Sequence, residues 1–189
     1  MVMRFFYGGH FGGVPQATWS DEAREAAAEA RRASAAAKAA TETARNGPSP
    51  ITKEGRANLK AAAAAHREAA VAHEKAAKAA HDPAEKEQHH SEAFAHNDKA
   101  DQHIEKAKAG NEAAKLSIAA DNATKAANKA QAFLDGAHDT AGGAHREAQD
   151  ACAKIGDQKN AAYHEAQALK HEEQFHAHDE GATYDALNR

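Results

Sequence analysis

The sequence predicts an all-α protein: antiparallel helical hairpins forming a bundle or an elongated coiled coil, preceded by a non-helical N-terminal arm. Three observations predict it. Alanine outnumbers every other residue, and alanine is the best helix former. From Leu59 onward, apolar and charged residues separate with the helical period. With six Phe, three Tyr, one Trp and four Pro in 189 residues, the chain has too few large side chains for a compact α/β or all-β core.

The arm comprises residues 1–19, MVMRFFYGGHFGGVPQATW, and differs from all that follows. It concentrates Phe5, Phe6, Tyr7, Phe11 and Trp19 among paired glycines. Such a segment is too short to build its own core. It either folds onto the end of the bundle or lays its aromatics into a protein partner, since aromatics dominate interface hot spots.

A first helix is expected over 20–46, with Ser20 as N-cap and Asp21 and Glu22 suiting the helix dipole. Asn46-Gly47-Pro48-Ser49-Pro50 ends it, making 47–51 the clearest linker in the chain. Residues 52–180 are expected to form a helical-hairpin bundle. Its second helix is capped at Thr52 or a neighbour and ends near Ala80. Asp82-Pro83 reads as an N-cap followed by proline at the first helical position, which opens a third helix. That helix is expected to break at Gly110-Asn111. Next comes an a/d seam through Leu116, Ala120, Ala123, Ala127, Ala130, Leu134 and Ala137, with Phe133 beside it. Gly136, Gly142 and Gly143 favour a hairpin turn there. A last helix should run from Ala144 to His178 and stop at Gly181, leaving 181–189 as a tail. AHREAA (65–70) and AHREAQ (144–149) echo one another, but in alanine-rich sequence this does not establish a duplication.

The organising stretch is Leu59 to Lys108. Histidines recur every seven residues on both sides of Asp82-Pro83, embedded in alanine. If the two helices fold back about Pro83-Ala84-Glu85, His66 faces His103, His73 faces His96 and His81 faces His89. A turn three residues earlier would instead set His73 against His90. Further down the chain, His138 and His145 repeat the spacing, as do His164, His171 and His178.

Few function classes find support. The net charge of −4 comes from interspersed acids and bases, which argues against a basic nucleic-acid-binding face. No apolar run approaches a membrane span. Cys152 is the only cysteine and reads as a small helix-face residue. No P-loop, HExxH or nucleophile signature is present, so the chain is expected to be no enzyme and to need no cofactor. Histidine is the one candidate for chemistry. Rings seven apart on one helix stand about 10 Å apart, so zinc or copper would need facing helices. His66, His73, His96 and His103 are the candidate ligands, with Glu68, Glu92 or Asp98 adding a carboxylate. The other reading is a pH response, because neutral histidines stacked across a seam repel once protonated.

Two stretches, WSDEAREAAAEARRA (19–33) and AHREAAVAHEKAAKAAH (65–81), resemble the alanine-, histidine- and charge-rich helical segments of structural, head-associated proteins of tailed bacteriophages. The resemblance lies in composition and carries no catalytic motif. It implies a virion or assembly role, placing the protein in a virion or host cytoplasm and otherwise in a cytoplasm. It also implies a protein partner such as a capsid or other particle component. A homo-oligomer is expected as well, because alanine seams bury little apolar area each.

Overall fold

The computed structural model describes residues 21–129 and 135–187, with side chains over 21–129 and 136–176. The fold is all-α. In chain order the helices are α1 (Asp21–Asn46), α2 (Lys53–Ala79), α3 (Pro83–Lys129), α4 (Asp135–Lys154) and α5 (Gln158–Leu187). Among the described residues there is no strand. The arm aromatics Phe5, Phe6, Tyr7, Phe11 and Trp19 lie outside the described residues.

Local chemistry sets the helix ends. Thr52 caps α2 by accepting from the Gly55 amide at 3.0 Å. Asp82 accepts from the Ala84 amide at 3.0 Å, and Pro83 opens α3. The α4–α5 turn is made at Gly156, whose φ of 77° suits glycine. Asp157 then caps α5 through the Asn160 amide at 3.2 Å.

Close backbone approaches link α1 to α2, α2 to α3, α3 to α4 and α4 to α5. The chain is therefore two three-helix bundles that share α3. The first consists of α1, α2 and the N-terminal half of α3; the second of the C-terminal half of α3, α4 and α5. Alanine makes the seams. Ala26, Ala30, Ala72 and Ala76 pack between α1 and α2, and Ala44, Leu59, Ala62 and Ala107 pack where α3 joins them.

A stripe at heptad spacing explains how one helix serves both bundles. His89, His96, His103, Gly110, Ser117 and Thr124 follow one another every seven residues along α3. Buried alanines flank this stripe four residues after each histidine in the first half: Ala93, Ala100 and Ala107. In the second half they flank it four residues before each hydroxyl or three after: Ala113, Ala120 and Ala127. The alanine face thus rotates by roughly 100° between the halves, given 3.6 residues per turn. α2 packs on one side of the stripe and α4 on the other.

Four expectations of the sequence reading are corrected. α3 does not break at Gly110-Asn111 but runs on to Lys129. Gly110 is needed for packing, because a Cβ there would stand 2.8 Å from Pro50 Cβ and closer still to the Pro50 carbonyl. α4 runs straight through Gly142-Gly143, where Gly142 is buried and its added Cβ would meet His171. No single helix spans Ala144 to His178; the chain turns at Gly156 instead, and α4 starts at Asp135. α5 also continues past Gly181 to Leu187, since one glycine inside a helix costs only about 1 kcal/mol.

The linker between α1 and α2 clasps the two bundles together. Ser49 donates to the Asp157 carboxylate at the α4–α5 turn. Arg56 donates to the Pro50 carbonyl at 3.3 Å and to the Ile51 carbonyl at 2.5 Å. Ile51 packs on Ala113, Cys152, Ile155 and Ala161. Cys152 is thus a buried core residue, and burial followed by the Asp157 charge pushes its thiol pKa up.

Candidate functional site

Each bundle has a buried polar ladder at its centre. In the first, α1 presents Ser34 and Thr41 seven residues apart, α2 presents His66 and His73, and α3 presents His89, His96 and His103. Thr41 Oγ1 lies 2.9 Å from His66 Nε2 and 3.2 Å from His103 Nε2. Ser34 Oγ lies 2.8 Å from His73 Nε2 and 2.9 Å from His96 Nε2. The rings within each layer stack, His66 on His103 and His73 on His96, both with centroids 5.5 Å apart. Diagonal bonds connect the layers. His66 Nδ1 meets His96 Nδ1 at 2.8 Å, and His73 Nδ1 meets His89 Nδ1 at 3.0 Å. At that end Glu92 Oε2 also lies 2.9 Å from His73 Nδ1.

The second bundle repeats the scheme with its own residues. Thr124 Oγ1 lies 2.7 Å from His145 Nε2 and 2.9 Å from His171 Nε2, and those rings stack at 5.7 Å. Ser117 Oγ lies 2.8 Å from His164 Nε2. The diagonals are His145 Nδ1 to His164 Nδ1 at 2.8 Å and His138 Nδ1 to His171 Nδ1 at 3.0 Å. The echoing segments AHREAA and AHREAQ place His66 and His145 at equivalent points, each beside a threonine and a stacked third-helix histidine.

The chemistry of the ladder follows from counting protons. A neutral imidazole carries one N–H, and a hydroxyl offers one O–H. A hydroxyl between two Nε2 atoms must accept from one and donate to the other. Two facing Nδ1 atoms must share a single hydrogen. Each ladder therefore has two self-consistent arrangements, with all donors pointing one way or all pointing the other. In the first ladder the run is His103–Thr41–His66–His96–Ser34–His73, ending at His89 and Glu92. The Glu92 carboxylate can only accept, so His73 donates from Nδ1 and the whole run points toward Glu92.

The environment favours neutral rings. His66, His73, His145, His164 and His171 are buried. Burial, then the neighbouring His96, His103 and Lys99, lowers the His66 pKa to about 4. Burial also lowers His73, against the opposing pull of Glu92. His96 and His103 are lowered by burial first, with Lys99 near one and Lys106 near the other. In the second ladder burial lowers His145, His164 and His171. Among the described residues, Gln174 Oε1 is the one buried side-chain polar atom without a partner.

Comparison with family models, with curated proteins and with solved structures finds no match. The site must therefore be read from its own geometry.

The four histidines singled out from the sequence, His66, His73, His96 and His103, come together in one ladder, with His66 opposite His103 and His73 opposite His96. The third expected pair, His81 with His89, does not form. His81 is exposed at the helix end, and His89 turns to His73 instead. Of the carboxylates weighed as extra ligands, Glu92 reaches the ladder while Glu68 and Asp98 lie exposed. The sequence reading missed the hydroxyls. Ser34-x6-Thr41 and Ser117-x6-Thr124 carry the same heptad spacing as the histidines, and that spacing was the available signal.

Proposed function

We propose that this chain is a non-enzymatic structural or assembly protein, a helical rod that joins a larger particle through its N-terminal arm. The observation that supports this most is how the ladders spend their hydrogen-bonding capacity. The imidazole and hydroxyl groups at the centre of both bundles bond to one another and fix helix spacing. The two bundles are joined through one 47-residue helix, an arrangement that suits a scaffold. The compositional resemblance to head-associated phage proteins favours a virion or host-cytoplasm setting and a capsid or other particle component as partner. No helix among the described residues is long and apolar enough to cross a membrane.

Size-exclusion chromatography with light scattering on metal-stripped protein at neutral pH tests the self-assembly part. A defined oligomer is expected, and a monomer at all concentrations would overturn it. Deleting residues 1–18 should leave helicity intact while abolishing attachment to the particle; loss of helicity would show that the arm belongs to the bundle.

A second reading, a pH-responsive assembly protein, rests on the requirement that the stacked rings stay neutral. It is compatible with the first, because acid would then release the rod's helices from one another.

A further inference from the structure

We propose that His73, His89 and Glu92 form a binding site for one zinc-class divalent metal ion, placed at the end of the first ladder so that the bound ion reverses the ladder's hydrogen bonds. The site differs from the set His66, His73, His96 and His103 suggested by sequence spacing and does not depend on the assembly role.

The geometry carries the site. His73 Nδ1 lies 3.0 Å from His89 Nδ1 and 2.9 Å from Glu92 Oε2. The three donor atoms all lie within 4.8 Å of one another, and among the described residues no other such group of metal-ligating side chains occurs. Zinc held tetrahedrally at about 2.0–2.1 Å from each ligand separates those ligands by about 3.3 Å. The two spacings from His73, 3.0 Å to His89 and 2.9 Å to Glu92, therefore need to open by only a few tenths of an ångström. His73 is the fixed member, buried on α2 with its Nε2 on Ser34. His89 and Glu92 stand three apart on α3, hence on one face, and both are half-buried. They can adjust, admit an ion, and leave a fourth position to water.

The other ladder crossings lack this chemistry. The pairs His66/His96, His145/His164 and His138/His171 also face each other through Nδ1. Three residues beyond His96, His164 and His171 stand Lys99, Gln167 and Gln174. Only at His89 does that position hold a carboxylate. A ligand set of two imidazoles and one carboxylate suits zinc or copper and is a poor match for magnesium or calcium.

Reversal follows from the proton count. Without metal, His73 donates from Nδ1 to Glu92. With metal on Nδ1, its one hydrogen must sit on Nε2 and be donated to Ser34, the outer-sphere bond expected of a metal-bound histidine. Ser34 must then donate to His96 Nε2, His96 Nδ1 to His66 Nδ1, His66 Nε2 to Thr41, and Thr41 to His103 Nε2. Every ring keeps one proton. One proton leaves at His73 and one is taken up at His103 Nδ1 from solvent, since His103 lines an open cleft with Thr41 and Lys106.

The full-length, metal-stripped chain is titrated with zinc chloride by calorimetry, with imidazole 15N shifts followed by long-range 1H–15N NMR. One equivalent is expected to bind, at least tenfold more weakly in Glu92→Gln and in His89→Ala, with helicity unchanged in both. The Nδ1 and Nε2 shifts of His66 and His103 should exchange places on zinc addition. Absence of binding, or equal binding in both variants, would overturn the site. Zinc bound with the His66 and His103 shifts unmoved would overturn the reversal.

Discussion

The two ladders obey one rule and differ in how they end. In both, a threonine bridges two stacked rings, and diagonal Nδ1 contacts carry the chain of bonds to the next layer. The first ladder ends at Glu92, and its α3 histidines are half-buried. The second is closed: His145 and His164 are 0 % exposed and His171 is 2 % exposed. No carboxylate stands three residues after His164 or His171 in the second ladder, where Gln167 and Gln174 lie. The comparison teaches that imidazoles can fill the centre of alanine-rich bundles when their buried nitrogens bond to hydroxyls and to one another. It also shows that a charged end gives such a core a direction and a possible ligand, which a closed one lacks.

Acid should have the largest effect, and it should strike both ladders. A histidine whose pKa is lower in the fold than in the unfolded chain binds more protons unfolded. Its stabilising effect is therefore complete above the unfolded value of about 6.5 and is lost as pH falls through the window down to the folded value. For His66 that window runs down to about 4, worth about 3 kcal/mol at 1.36 kcal/mol per unit. His145, His164 and His171 are lowered in the same direction by burial. Asp121 on α3 opposes the effect at His145 and His164, while His138 and Lys170 add to it at His171. A single extra proton can be held within a ladder, with both nitrogens of one ring donating outward; a second must break a bond. Urea unfolding followed by circular dichroism should show a large loss of stability between pH 7 and pH 4.5. An unchanged midpoint would mean that the rings are not held neutral.

Removing one hydroxyl separates the ladders more finely. Thr124→Val leaves the Nε2 atoms of His145 and His171 without a partner, both buried. At roughly 1–3 kcal/mol for each of the two stranded groups, a loss of about 2–6 kcal/mol is expected. Thr41→Val should cost less, because half-buried His103 can turn to water while His66 cannot. Serine at either position keeps the bridging oxygen and should stay within about 1 kcal/mol of the parent, having lost only a methyl group. Equal losses in the two valine variants would mean that the ladders are equally closed to solvent.

Much of this was legible in the sequence, because heptad spacing states which residues share a face. His66 opposite His103 and His73 opposite His96 follow from spacing with a turn centred at Pro83-Ala84-Glu85; both pairs are observed, although the turn itself lies earlier, between Ala79 and Pro83. Glycine was the misleading residue. Gly110 and Gly142 read as breakers, yet both sit buried inside helices, and at Gly110 the missing Cβ serves close approach to Pro50. The actual turn at Gly156 was hidden, because Ala144, Ala148, Ala151 and Ile155 keep an unbroken seam up to its edge. The hydroxyls were overlooked because serine and threonine in an alanine-rich helix look like solvated surface. Only a partner helix shows them to be half-buried bridges.

Two glycines turn this lesson into a comparison of opposite sign. Gly110→Ala adds a methyl group against the backbone of Pro50, which the Ser49–Asp157 and Arg56 bonds hold in place. Alanine raises helix propensity by about 1 kcal/mol, but overpacking against a fixed neighbour costs about 1–3 kcal/mol. A net loss of about 1 kcal/mol is therefore expected, with faster amide exchange across the linker at 47–52. Gly143 lies in α4 with nothing within 4 Å of an added Cβ. Gly143→Ala meets no such opposition and should gain about 0.5–1 kcal/mol from the lower entropy of the unfolded chain. Thermal unfolding of the pair reads both effects. If Gly110→Ala were as stabilising as Gly143→Ala, the linker would not be seated on α3 in solution, and the two bundles would be joined by α3 alone.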